Sequence, residues 1–383
     1  MKIVMAEFWE WDSAIKVGSH HYARRFLAEG HEVFWMPSYW TIMTPLFNWD
    51  GFKKRFSIWG KTLVNGLRTV ENGLYCYSPL SLLTYRNYPI LNRIYIAERL
   101  ADLTIPSLRS QFMKIGWDRV DIAWFSNLAF IGLRKHIEYK KFVYRMADHM
   151  VAFPDIPASY ESLERSVIEK SDLVIATSRF LFEKAKKLNL NVLYLPNATN
   201  YTVIDEVEGE EPPDLQDIPQ PRVIYVGSTR SWFDYELLES LARRLDTYSF
   251  VVIGPLEDAS LPRLNHYENI YVLGPRPHHE VKGYMKHCEV GIIPFKKNEL
   301  TERVNPIKLY EYLACGLPVV ATNLEELRYL KSPALLATGS KEFSEGIETA
   351  LQMGKDRREV IEFARENSWE KRFAELKAVL QIS

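Results

Sequence analysis

Lys308 and Glu311 stand three residues apart in Asn305-Pro306-Ile307-Lys308-Leu309-Tyr310-Glu311-Tyr312-Leu313-Ala314-Cys315-Gly316-Leu317-Pro318-Val319-Val320-Ala321-Thr322. On a helix that spacing brings an ammonium and a carboxylate to one face. A lysine beside a helix N-terminus adds to the pull of its backbone N–H groups on an anion such as phosphate. A carboxylate one turn on can hold a neighbouring pair of sugar hydroxyls. A cation for a diphosphate and a carboxylate for a ribose are what a nucleotide-sugar site needs. Both must be delivered by a helix, and the pattern supplies one. Asn305-Pro306 opens a turn, Leu309, Tyr312 and Leu313 recur at helical spacing, and Gly316 provides a stop. Leu317–Ala321 then reads as a short buried strand. Without its charges, the same stretch is an ordinary amphipathic helix feeding a strand.

Two further places could do chemistry. Lys141-Phe142-Val143-Tyr144-Arg145 reads as a strand terminating in Met146-Ala147-Asp148-His149. In open parallel sheets the carboxyl ends of strands carry the site. Asp148 stands where a general base would take the proton of an attacking hydroxyl, or where a carboxylate would cap the following turn. Arg222-Val223-Ile224-Tyr225-Val226-Gly227 is a strand ending in glycine, followed by Ser228-Thr229-Arg230. Gly227 lets the backbone approach a ligand, and Arg230 can pair with a phosphate through two N–H groups.

The pattern Lys-x-x-Glu-Tyr-x-x-x-Gly-x-Pro-Val-Val-Ala-Thr at Lys308–Thr322 resembles the donor-binding segment of GT-B glycosyltransferases. With Asn305-Pro306 before it, and with Val143-Tyr144-Arg145-x-x-Asp148, it is similar to bacterial exopolysaccharide and cell-surface enzymes such as the xanthan glucuronosyltransferase. The resemblance implies an α/β GT-B fold, two Rossmann-like parallel-sheet domains facing a central cleft. It implies that Asp148 is the base and that Gly227, Arg230, Arg276, Asn305, Lys308 and Glu311 line the donor site. The loop after Ile270-Tyr271-Val272-Leu273-Gly274, which holds Arg276, would contact the nucleotide base. The loop between the first strand and first helix would face the acceptor, with His20 and His21 as contacts; a histidine pair at a helix start also suits solvated surface. The implied partners are a nucleotide-diphosphate sugar, UDP-linked, and a glycan or polyprenyl-diphosphate-linked acceptor. The chain departs from the family at one point. Retaining enzymes of its largest group carry Glu, seven residues, then Glu; counting back from Glu311 reaches Arg303, with Glu302 one residue out of register. That favours inversion, with Asp148 as base. No Asp-x-Asp ends a strand, so no metal is implied, and no cofactor.

Composition narrows the alternatives. At 383 residues the chain calls for two domains, and 47% hydrophobic with 25% charged residues fits a folded globular protein. The net charge of −1 offers no field for nucleic acid. Cys76, Cys288 and Cys315 are odd in number and far apart, which argues for a reducing compartment and against a disulfide framework or zinc site. His278, His279 and His287 lack partners at ligand spacing and read as surface. Met1–Glu7 meets a carboxylate too early for a signal peptide, and no apolar run approaches a spanning helix. The expectation is a cytoplasmic protein.

In order, Lys2–Ala6, a long turn, a helix from His20 to Glu29, Gly30 and the strand His31–Met36 make a βαβ start. No Gly-x-Gly-x-x-Gly follows the first strand. Residues 39–65 interleave aromatics with Lys53, Lys54, Arg55 and Lys61, which suits an anionic membrane surface at the inner face or an amphipathic helix pair packed on the sheet. Eight of the ten tryptophans fall in the first 125 residues, where they could serve sugar rings, a membrane interface or the core. Ile90–Met113 reads as helical. Strands at Val120–Phe125 and Leu173–Ser178 and a closing Val192–Asn197 complete an N-terminal acceptor domain, 1–200. Residues 201–221, acidic with four prolines, read as the linker. The nucleotide-sugar domain is 222–362. By resemblance, 363–383 crosses back to the first domain. Two other classes share this layout: a GT-B sugar-nucleotide epimerase, and a non-catalytic sugar-nucleotide or glycan-binding protein.

Overall fold

The computed structural model describes residues 1–13, 16–41, 68–200, 210–256, 261–353 and 358–382. The chain divides into two compact units, Met1–Leu195 and Pro196–Ser383.

In the first unit the strands are β1 (Lys2–Ala6), β2 (Glu32–Met36), β3 (Trp40–Thr41), β4 (Arg68–Glu71), β5 (Leu74–Cys76), β6 (Leu80–Ser81), β7 (Thr104–Ile105), β8 (Arg119–Phe125), β9 (Glu138–Met146), β10 (Leu173–Ala176) and β11 (Val192–Tyr194). The main sheet runs β11-β10-β9-β8-β1-β2-β5-β4 and is parallel except for the edge strand β4. Its central strands are unbroken apolar runs because both faces are covered: Ile3 to Ala6 and Val33 to Met36 are fully buried. Five of the six described tryptophans among the first 125 residues belong to the interior: Trp11, Trp35, Trp40, Trp117 and Trp124. Trp9 is partly exposed, and Trp49 and Trp59 lie outside the described residues.

Two features depart from the sequence reading. The helical pattern of Ile90–Met113 is broken into Ile94–Arg99, a 3-10 turn, β7 and Leu108–Lys114. Pro106 explains the break: it has no N–H to donate, and its ring drives Ile105 into the extended conformation. The short β7 pairs with β6, and β6 with β3, in a small second sheet whose two-residue strands are too short to show a period. Of the aromatic and basic stretch 39–65, residues 42–65 lie outside the described residues.

The second unit holds β12 (Arg222–Val226), β13 (Ser249–Ile253), β14 (Ile270–Gly274), β15 (Val290–Ile293), β16 (Val319–Thr322) and β17 (Leu335–Ala337), all parallel, in the order β14-β13-β12-β15-β16-β17. The described part of 201–221 is not a free linker. Leu215 and Ile218 are buried in this unit's core, Glu211 pairs with the buried Arg222, and Asp214 accepts from Arg276 at 2.6 Å. Apolar anchors between the acidic residues escaped notice in a stretch read by its charge. The Trp369–Leu380 helix is part of the same unit: Arg372 donates to the Pro196 carbonyl at 3.3 Å, and Thr199 pairs with Ser368.

Candidate functional site

In the second unit the strand order reverses between β12 and β15. The crevice outside the carboxyl ends at such a reversal is where open parallel sheets hold ligands. Gly227 follows β12, Phe295 lies just beyond β15, and the Ile307–Ala314 helix brings Lys308 to the same place. Its Nζ donates to the Tyr225 hydroxyl at 3.0 Å and stands 4.3 Å from the Tyr225 ring and 4.6 Å from the Phe295 ring. Gly227 has φ +144°, and a Cβ there would come within 2.7 Å of the ammonium; the missing side chain is what gives Lys308 its room. Tyr312, one turn on, accepts the Val226 N–H at 2.7 Å and locks the helix to the end of β12. No side chain caps the helix N-terminus. At the other end Gly316, at φ +69°, donates to Leu313 O while Leu317 donates to Tyr312 O, so the chain turns sharply into β16.

Lys308 is half-buried, and among the described residues no carboxylate lies within ion-pair distance of it. Burial pushes its ammonium down to about 7, against the opposing pull of Glu311. Glu311 lies one turn on, with His278 Nε2 at 3.3 Å from its Oε1. Next to this pair the loop 227–230 is fastened from behind. Tyr225 and Trp232 both donate to the Ser228 carbonyl, and Tyr235 donates to that of Thr229. Arg230 stands at the exposed tip of that loop.

The first unit reverses between β1 and β8. Glu7 follows β1 and Ser126 follows β8, so residues 119 apart meet. Ser126 Oγ donates to Glu7 Oε1 at 2.9 Å, and Ser19, from the Gly18–Ala28 helix, lies 3.4 Å from Ser126 Oγ. Glu7 is 2% exposed. Burial raises it to about 7, opposed by Arg145 and by hydrogen bonds from Ser19, Ser126 and Trp124. Asp148, two residues beyond β9, is half-buried and is raised by burial to about 6, with Arg145 again pulling down. One buried guanidinium thus acts on both acids. His20 and His21 are not surface residues: they are 2% and 8% exposed. His20 packs between Trp11 and Trp35, accepts the Val17 N–H on Nδ1, and faces the Glu10 carbonyl with Nε2 at 3.2 Å. Burial lowers it to about 4, so it stays neutral.

Residues 220–353 match the sequence profile described as "Glycosyl transferases group 1". A stretch of 183 residues is 28% identical to TuaH of Bacillus subtilis (strain 168), a protein named as a teichuronic acid biosynthesis glycosyltransferase. That match spans 45% of this chain and 46% of TuaH, less than half of either. Over the full chain the fold is that of sucrose-phosphate synthase from Thermosynechococcus elongatus (TM-score 0.70, 14% identity, 100% of this chain and 98% of that one). Anabaena HepE in complex with UDP is also similar (TM-score 0.61, 14% identity, 100% of both chains). The fold is GT-B.

Within the matched residues 220–353, three residues that the sequence singles out are already engaged by the protein. Arg276 binds Asp214 at 2.6 Å and the Tyr284 hydroxyl at 3.1 Å, so its side chain fastens the 210–217 segment. Glu302, the acid out of register, accepts the Glu325 N–H at 2.6 Å and pairs with Lys297 at 3.1 Å. Asn305 is 2% exposed; its Oδ1 accepts the Asn197 N–H at 3.1 Å and its Nδ2 donates to Glu326 at 3.0 Å. An Asn305→Ala variant removes one donor to that buried carboxylate and the acceptor of the Asn197 N–H, and should cost about 2–3 kcal/mol in urea unfolding. A loss under about 0.5 kcal/mol, the range of ordinary surface changes, would show that this knot is dispensable. Sequence reading missed Glu7, Arg145 and His278. Glu7 is a lone acid after an apolar strand, and only the adjacency of β1 and β8 gives it partners. Among the described residues no group of three or more His, Cys, Asp or Glu could hold a metal ion, and no helix is long and apolar enough to cross a membrane.

Proposed function

We propose that this chain is a glycosyltransferase that moves a sugar from a UDP-sugar to a glycan or polyprenyl-diphosphate-linked acceptor in surface polysaccharide or lipopolysaccharide assembly, with inversion and without a metal. The observation that carries the reading is Lys308: a half-buried ammonium at an uncapped helix N-terminus and a strand-order reversal, with aromatic rings for company and a carboxylate one turn on. Such a cation is incompletely solvated and gains most from an anion brought to it. The diphosphate would lie against Lys308, the N–H groups of residues 307 and 308, and the 227–230 loop with Arg230. The ribose hydroxyls would meet Glu311. In the transfer step Asp148 takes the acceptor hydroxyl proton, the oxygen bonds to the anomeric carbon, and the bond to the diphosphate breaks with its electrons going to the leaving oxygen. Lys308 stabilises that charge as it develops. The names of TuaH, as a teichuronic acid enzyme, and of the UDP complex of HepE support the pathway class and the nucleotide. Contact with an anionic inner membrane surface through 39–65 belongs to the same proposal.

Thermal unfolding against UDP-, GDP-, dTDP- and ADP-sugars tests the donor. The matching nucleotide at a hundredfold its dissociation constant stabilises the protein by about 2.7 kcal/mol. We expect that shift with UDP-sugars. No shift with any of the four would overturn the reading.

A further inference from the structure

Glu311 has an environment that its helix alone does not supply. His278 opens the His278–Lys286 helix immediately after the 275–277 loop, and its Nε2 lies 3.3 Å from Glu311 Oε1. Lys282, four residues on, shares that helix face, is nearly buried, and adds its charge to the surroundings of Glu311. Lys308 does the same from Glu311's own helix. Among the described residues nothing bonds to Oε2 of Glu311. A glutamate side chain ordinarily turns about three torsions, the last of them soft. Here one oxygen is held and the other is left for a ligand.

We infer that His278 is a positioning residue that fixes the Glu311 carboxylate for a vicinal pair of ribose hydroxyls, and that this pair makes the site select ribonucleotide over 2′-deoxyribonucleotide donors. The inference rests on the reading of Lys308 and Glu311 as a diphosphate–ribose site. A mobile carboxylate follows whichever hydroxyl remains when one is removed, and discriminates poorly. A pinned carboxylate cannot follow. Loss of the 2′-hydroxyl then leaves a charged, half-buried oxygen without its donor, and sites built to bond a hydroxyl reject analogues that lack it. His278 itself need not touch the nucleotide.

Calorimetry with UDP, 2′-deoxy-UDP and inorganic pyrophosphate, on the wild type, His278→Ala and His278→Gln, tests this. The wild type should prefer UDP over its deoxy analogue by about tenfold or more. In His278→Ala that ratio should fall toward one, while affinity for pyrophosphate, which has no ribose, stays unchanged. His278→Gln, whose amide N–H can still reach Glu311, should recover most of the ratio. If UDP binds the wild type without preference, or His278→Ala keeps the full ratio, the inference fails and the diphosphate site stands. Pyrophosphate binding lost in His278→Ala would mean that the helix, not the carboxylate, depends on His278, and overturns the positioning role. A wild type that binds neither UDP nor pyrophosphate removes the underlying reading and the inference with it.

Discussion

An Asp148→Asn variant is expected to lose about 10²–10⁴-fold in kcat with little change in the donor KM, the effect of removing a general base that acts only in the transition state. The pH profile makes the expectation sharper. Burial raises Asp148 to about 6, and it acts as a base only when ionised. Wild-type kcat/KM should therefore hold on the neutral side and fall tenfold per unit as pH drops below about 6. The variant should lose that acid limb together with the rate. A limb that persists near 7 would reassign the base to Glu7, whose carboxyl is raised to about that value and which shares Arg145 with Asp148. A variant of undiminished rate would remove Asp148 from the mechanism.

Replacing Lys308 with alanine should weaken UDP binding by about two orders of magnitude, the worth of a charge-assisted hydrogen bond made out of bulk water. The sign of the pH effect follows from the lowered value of about 7. Above it the empty site is largely neutral, so binding a diphosphate must first take up a proton. UDP affinity should fall by up to tenfold per unit as pH rises above about 7, where the ligand's terminal phosphate is already largely ionised. Lys308→Met, of similar length and without charge, should show weak binding with no such slope. Folding responds in the opposite sense. Between about 7 and the ordinary lysine value the unfolded chain holds more protons than the folded one, so stability rises with pH across that window. The unliganded methionine variant should consequently exceed the wild type in stability at neutral pH, by a margin that shrinks as pH rises. A wild type whose UDP affinity is flat from pH 7 to 9 would show that Lys308 stays charged without a ligand.

How much could be read from the chain depended on how local each signal was. The helix, stop and strand around Lys308 are written within 18 consecutive residues, so Gly316 and Val319 punctuate them in the sequence as they do in space. Strands β1, β12 and β15, and the last residues of β8 and β9, show as largely apolar stretches because both sheet faces are covered there. The partners of those elements are not local. Arg276 reads as a ligand contact until Asp214, 62 residues earlier, is found bonded to it. His278 reads as surface because nothing nearby announces Glu311, 33 residues later. His20 is polar and stands at a helix start, yet Trp11 from the preceding loop and Trp35 from β2 enclose it. The same limit hid Glu7: strand order creates its site, and strand order is set by the packing of the whole sheet.

In the second unit the start of the Trp369–Leu380 helix lies beside residues 196–199. Thr199 donates to Asn367 O at 3.2 Å, Trp369 donates back to Thr199 O at 3.0 Å, and Arg372 reaches Pro196. A piece trimmed to the matched residues 220–353 would lose these bonds, together with the core residues Leu215, Ile218, Val360 and Ala364. The compact unit is Pro196–Ser383. A piece meant to keep these contacts therefore has to run from 196 into the Trp369–Leu380 helix, whose first turn clasps residues 196–199, and cannot stop where the profile match stops.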